Sequence, residues 1–233
     1  MAVCAQSWIV LPHDPIEILA PNVWRVEGRL GKNNRRIMLL ARLKDGRIIV
    51  HNAIALDDAS MAKIDAWGEV AAILIPNAFH RQDSFIMQTR YPMAKVYAPS
   101  GAIKAASKAT PCAGAYRDAP ADDSVKIRDI EGIGGKEGLM LIQSDDGTTA
   151  VFCDTLLNIP PMGGLMGLAL SPTGTLGIPR AIRWMMMKDK QALKNDLLGI
   201  AATDGLVRLI PGHGATVTKD VAARTKEAAE RLG

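Results

Sequence analysis

Val151-Phe152-Cys153-Asp154-Thr155-Leu156 and Leu209-Ile210-Pro211-Gly212-His213-Gly214 are the two stretches on which the fold of this chain turns. Each is an apolar, β-prone run that empties into a residue able to bind a metal. Functional groups in open α/β sheets gather where strands end, at their carboxyl edge. Asp154 and His213 stand at such edges. So do two residues upstream: His51, after Ile48-Ile49-Val50, and His80, after Leu74-Ile75-Pro76-Asn77. The chain has four histidines, and three of them occupy such places.

Working outward from these edges, the chain reads as two rounds of one grammar. The first twenty or so residues, with Pro12, Pro15 and Pro21, read as an irregular lead-in. Strands are expected over 23–27, 37–43 and 47–50, the last two joined by Lys44-Asp45-Gly46, where Asp-Gly supplies the positive φ a hairpin turn needs. Asp57, Asp58 and Ser60 offer N-cap oxygens to a helix through Trp67, which Gly68 stops. A buried strand over 70–75, a helix over 82–90, a strand over 94–98 and a helix opened by Pro99-Ser100-Gly101 follow, then a surface connection over 110–123. The second round has a strand over 125–130 and a hairpin of 138–143 with 148–153 around Asp145-Asp146-Gly147. Residues 159–179, rich in Gly, Pro, Met and Leu, are long for a structureless loop and predict a lid, a binding loop or a partly helical segment. A helix over 182–198, a strand over 206–210 and a charged helix over 219–232 close the chain. Two such halves, each a sheet with helices on one face, predict two mixed sheets packed as a four-layer α/β/β/α sandwich. A single domain over residues 1–233 is the expectation.

Composition narrows the class. The 233 residues are 48% hydrophobic but only 4% aromatic, so aliphatic side chains and eleven methionines must fill the core. A net charge of +4 is mildly basic, and no nucleic-acid footprint is evident. The densest basic cluster, Lys32 to Arg36, reads as a solvated hairpin edge or an anion-steering patch. Cys4, Cys112 and Cys153 form neither a disulfide framework nor a Cys-x-x-Cys pair, which fits a reducing, cytoplasmic compartment. No apolar run reaches spanning length, and no membrane partner is expected.

The layout from about Val23 to the terminal helix resembles the metallo-β-lactamase superfamily. The resemblance implies that Asp154 stands at the carboxylate bridging two metals and His213 at the last histidine of the second site. That family's His-x-His-x-Asp-His signature should follow the strand ending at Pro76. The chain has Asn77-Ala78-Phe79-His80-Arg81-Gln82-Asp83 instead, and Ile133 stands where a further histidine is expected after Gly132. Ile49-Val50-His51-Asn52, Pro76-Asn77-x-x-His80 and Tyr91-Pro92-x-Ala94-x-Val96-Tyr97-Ala98-Pro99 resemble one uncharacterised branch of that superfamily, with a degenerate metal motif.

Three protein ligands and one open position suffice for a catalytic zinc. His80, Asp154 and His213 are the candidate catalytic and metal-binding set, with His51 as a fourth ligand or a partner behind them. Asn77 and Asp83 are candidates to orient an imidazole from behind. The expected cofactor is one divalent metal, zinc first, or none. The function classes left open are a single-metal hydrolase of unknown substrate, metal-free acid–base chemistry by His80 or His213, and a non-catalytic pocket-bearing binding protein in which Asp154 and His213 only hold loops. A small-molecule ligand and a second copy of the chain are the partners to expect. Gly132-Ile133-Gly134-Gly135-Lys136-Glu137 lacks the Gly-Lys-Ser/Thr ending of a phosphate loop and reads as a tight turn. No Gly-x-Ser-x-Gly elbow occurs. Cys153 is expected buried and inert, and Trp184 with Met185, Met186 and Met187 core or dimer surface.

Overall fold

Alternation along the central strands settles how the layers stack. The computed structural model describes residues 4–30 and 34–232. Among these, seven strands form one sheet in sequential order: β1 (Glu17–Ala20), β2 (Val23–Leu30), β3 (Asn34–Arg42), β4 (Ile48–His51), β5 (Val70–Leu74), β6 (Lys95–Ala98) and β7 (Gly114–Ala115). β1 to β4 pair antiparallel, and β4 to β7 pair parallel. In β3, Met38 and Leu40 pack with the helices, while Ile37, Leu39 and Ala41 turn to the other sheet. β5 divides the same way, Ile73 to the helices and Ala72 and Leu74 inward. The period of two fixes the register, since a one-residue slip would exchange the two faces.

The second sheet has order β11-β10-β9-β8. β8 (Val125–Asp129), β9 (Gly138–Ser144) and β10 (Gly147–Val151) are antiparallel, and β11 (Leu206–Ile210) lies parallel to β10. Val125, Met140, Ile142, Val151 and Ile210 meet the first sheet. Leu139, Ala150 and Leu209 meet the helices behind. The first sheet is backed by α1 (Asp58–Trp67), α2 (Ser84–Arg90) and α3 (Ile103–Ala106); α4 (Gly164–Ala169), α5 (Arg180–Met186), α6 (Lys190–Ala201) and α7 (Val221–Glu230) follow in the second half. This is the α/β/β/α order expected. Side chains of α5, α6 and α7 fill the outer core of the second sheet.

Several local expectations change. The lead-in ends in β1, an edge strand on β2. The 110–123 connection carries β7 and a 3₁₀ turn, Tyr116–Asp118, whose Tyr116 ring is fully buried against Gly138. The helix expected over 182–198 is two helices. Asp189 caps α6, accepting the Ala192 N–H at 2.9 Å, and the Gly132 carbonyl takes the N–H groups of Lys188 and Asp189. That carbonyl breaks the helical ladder, and Gly132 itself has φ +78°, with no room for a Cβ against Leu193. The 159–179 segment is partly helical through α4.

Within the basic cluster, Lys32 and Asn33 lie outside the described residues. Arg35 pairs with Glu27 at 2.5 Å, but Arg36 is fully buried and pairs with Asp83. It is therefore neither a solvated edge nor a steering patch. Trp184 is exposed while Met186 is buried, so that run divides between surface and core. No helix among the described residues is long and apolar enough to cross a membrane.

Candidate functional site

Four strand ends converge at one edge of the sandwich. β4 delivers His51 as its last residue, paired with Leu39 and Leu74. Asn52 then turns the chain with φ 58°, a left-handed conformation that Asn tolerates better than most side chains. Its Nδ2 donates to the Ile37 carbonyl at 2.8 Å, so its Oδ1 faces His80 Nδ1 at 3.2 Å. That acceptor fixes the proton on Nδ1 and leaves the Nε2 lone pair free.

After β5, Asn77 builds the next turn. Its Oδ1 accepts the N–H groups of Phe79 and His80, at 2.8 and 3.1 Å. Its Nδ2 therefore points the other way, to Asp154 Oδ2 at 2.8 Å and Glu137 Oε2 at 3.3 Å. One amide thus sets the position of His80 and holds the carboxylate it faces.

From the second sheet, β10 runs into Asp154 and β11 into His213. Gly212 lets these ends approach: a Cβ there would stand 2.9 Å from both Cα and Sγ of Cys153, and its N–H donates to the Cys153 carbonyl at 2.9 Å. The Gly212 carbonyl accepts from Ile37 of β3 at 3.2 Å, and His213 Nδ1 donates to the Arg35 carbonyl. Backbone of the first sheet thus aims a side chain of the second.

His80 Nε2 lies 3.3 Å from Asp154 Oδ1, His213 Nε2 lies 3.4 Å from the same oxygen, and the two Nε2 atoms are 3.1 Å apart. The sequence-predicted trio is therefore brought together. His51 is beside it, buried, with Nε2 lacking any partner among the described residues. Asn77 also belongs to the site. Asp83 does not reach an imidazole: its Oδ2 is taken by buried Arg36 and by the Ala55 N–H. The other positions of the missing signature bring no ligand here. Phe79 is half exposed, and Ile133 is packed into the second-half core.

Glu137 is the residue that sequence reasoning missed. It is fully buried and accepts the N–H groups of Cys153, Asp154 and Thr155 at 2.9–3.1 Å. It thereby shapes the turn that presents Asp154. Its sequence setting, Gly134-Gly135-Lys136-Glu137-Gly138, signalled only a turn.

Charge in this pocket is closely balanced. Burial, and then Asp154, push the Glu137 carboxyl up to about 7, against the pull of its three N–H donors. Asp154 is also desolvated, but His80, His213 and Asn77 outweigh burial and hold it below the usual carboxylate range. His80 loses by burial and gains more from Asp154, so its imidazole is raised. Burial lowers His213 despite Asp154. Burial, then His80, depress His51 to about 3 and keep it neutral.

A metal could be offered two trios. His80, Cys153 and Asp154 have ligand atoms within 4.8 Å of one another. The Cys153 thiol, however, is raised well above its ordinary value by burial and then by Asp154 and Glu137. A thiol must shed its proton to ligate. His80, Asp154 and His213 need no such cost. A cleft of about 770 Å³ lies at the opposite strand ends between the two Asp-Gly turns and contains none of these residues.

Solved structures share this arrangement of sheets. The FIM-1 metallo-β-lactamase of Pseudomonas aeruginosa, in its mono-zinc form, aligns over 97% of this chain and 98% of its own, with 16% identity and a TM-score of 0.62. The chain has the metallo-β-lactamase fold. DIM-1 metallo-β-lactamase aligns over 95% of this chain and all of its own, with 12% identity and a TM-score of 0.65. The metallo-β-lactamase of Hirschia baltica covers 93% and 98%, with 13% identity and a TM-score of 0.60. At such identities the likeness is one of fold. No protein-family profile matches the sequence, and no curated protein sequence does either. At one edge of this fold, Asp154 and His213 come from strand ends of the second half and His80 faces them from the first.

Proposed function

We propose that this chain is a metal-dependent hydrolase working with one divalent cation, held by His80 Nε2, Asp154 Oδ1 and His213 Nε2. The spacing of those three atoms carries the reading. Ligand atoms around a tetrahedral zinc at ~2.0–2.1 Å stand about 3.3 Å apart, and the three separations here are 3.1, 3.3 and 3.4 Å. Two imidazole nitrogens with their protons committed elsewhere would repel at that distance unless a cation or a shared proton lay between them. Two imidazoles and a carboxylate suit zinc, iron or manganese, zinc foremost.

A bound cation supplies positive charge that acidifies water and polarises a carbonyl or phosphoryl oxygen. The chain's own residues prepare the site. Asn52 and the Arg35 carbonyl fix both tautomers. Asn77 occupies Asp154 Oδ2, leaving Oδ1 to face the imidazoles. Neutral His51 lies behind His80 as a fourth ligand or a proton acceptor. The ligand is a small molecule with a hydrolysable bond. All three cysteines are unpaired, which supports a reducing, cytoplasmic setting.

A second reading keeps the pocket without chemistry. In its favour, His80 and His213 stand 3.3 and 3.4 Å from Asp154 Oδ1, so a protonated imidazole would pair with that carboxylate without any cation. Metal analysis separates the two. Purified protein equilibrated with zinc is expected to hold one equivalent, lost in His213→Ala with little loss of stability because His213 is partly exposed. Wild-type protein that takes up no zinc, iron or manganese would overturn the hydrolase reading.

A further inference from the structure

α4 and α5 turn large apolar side chains outward. Leu165 is 87% exposed and Trp184 88%, and Met162, Met166, Leu168 and Met185 are exposed beside them. Single exposed apolar residues are ordinary, but a contiguous set marks an interaction surface. This set is contiguous, because α4 packs on α5 and the Ser171 carbonyl accepts the Arg180 N–H where they join. It also reaches the site. Met185 and Phe79 line one cavity of about 230 Å³ with Lys136, and His80 follows Phe79.

The charge of this face identifies what it would meet. From Ile159 to Lys188 there is no Asp or Glu, while Arg180, Arg183 and Lys188 are all present. Arg180 and Lys188 are exposed, and none of the three enters an ion pair among the described residues. Lys136 adds a fourth cation at the edge, its Nζ donating to the Met185 carbonyl at 2.7 Å. Two copies joined symmetrically through this face would set like charges together with no carboxylate of the segment to offset them. A lipid surface bearing phosphate anions offers the opposite charge along the whole rim, and apolar depth for Leu165 and Trp184.

We propose that the α4–α5 face docks on an anionic lipid bilayer. Leu165, Met166, Leu168 and Trp184 enter the headgroup boundary, and Arg180, Arg183 and Lys188 meet the lipid phosphates. Docking brings the Phe79 side of the site to the membrane surface, and it holds whether or not the site binds metal. A chain with no spanning helix among its described residues thereby gains a membrane partner that its sequence did not announce.

Vesicle co-sedimentation of the full chain tests this, with phosphatidylcholine alone or mixed in equal parts with phosphatidylglycerol. Sedimentation with the mixed vesicles, weakened by salt, is expected, with little on phosphatidylcholine. Leu165→Glu with Trp184→Glu should abolish it. Arg180→Gln with Lys188→Gln should weaken it about 25-fold, roughly fivefold for each cation near the surface. Both pairs are exposed, and unchanged thermal melting confirms that the variants are folded. No binding to the mixed vesicles, or binding that the cation variant leaves intact, overturns the proposal. So does sedimentation equilibrium showing a dimer that Trp184→Glu dissolves, which would assign the face to a second copy.

Discussion

The two sheets contribute to the site by different means. The second sheet brings a carboxylate and an imidazole at two neighbouring strand ends, Asp154 after β10 and His213 after β11, drawn together by Gly212 against Cys153. The first sheet brings one facing imidazole, His80, and two amides. Asn52 and Asn77 ligate nothing; they fix a tautomer, a turn and a carboxylate oxygen. A buried charge pair, Arg36 with Asp83, bonds none of these side chains and ties β3 to the start of α2. In the proposed metal site, neutral hydrogen-bonding side chains of the first sheet thus do the work of orientation.

The sharpest test of this division is Asp83→Ala. Leaving Arg36 buried without its partner should cost about 3–5 kcal/mol of stability, measured by urea unfolding, while the folded variant keeps its metal stoichiometry. Metal loss in the folded variant would break the division, because the pair would then belong to the site. Glu137→Ala comes next. It strips three buried N–H groups of their acceptor, at about 3 kcal/mol, and should also weaken metal binding by releasing the turn that presents Asp154. Asn52→Ala should lower metal affinity about 10–100-fold in a competition titration with a chelator, since His80 Nδ1 loses its acceptor. Unchanged affinity would make the first-half amides structural only.

The smallest effect is a pH slope in the metal-free protein. His51 is held at about 3 when folded, chiefly by burial, against 6.5 ordinarily. As pH falls, the unfolded chain therefore takes up this proton first. The stability His51 contributes is complete above about 6.5 and is lost progressively down to about 3. His51→Gln should flatten that part of a thermal-melt series. An unaltered slope would place the acid sensitivity elsewhere.

Much of this was legible in the chain itself. Apolar, β-prone runs and two Asp-Gly turns marked the strands and their two-round order, because strand and turn chemistry is local. Errors came where a distant group intervened. The 182–198 helix breaks because the Gly132 carbonyl, far away in sequence, takes its N–H groups. Arg36 reads as surface charge until Asp83 is placed beside it. Four strand-end residues could be named as candidates, yet Asp83 among their supposed partners faces the wrong way, and Glu137 gave no sign.

What the sequence by itself determined is the set of chemical groups and the strands that carry them: a carboxylate and three imidazoles at strand ends, with most of a two-metal signature missing. What only the tertiary structure decided is their relation. The separations of 3.1–3.4 Å among His80, Asp154 and His213 depend on backbone contacts between sheets, from Arg35 to His213 and from Ile37 to Gly212. Such contacts have no local signature. They arise only when two faces of aliphatic side chains exclude water and lock the sheets in one register, which is also what leaves the Glu137 carboxylate buried under three N–H groups.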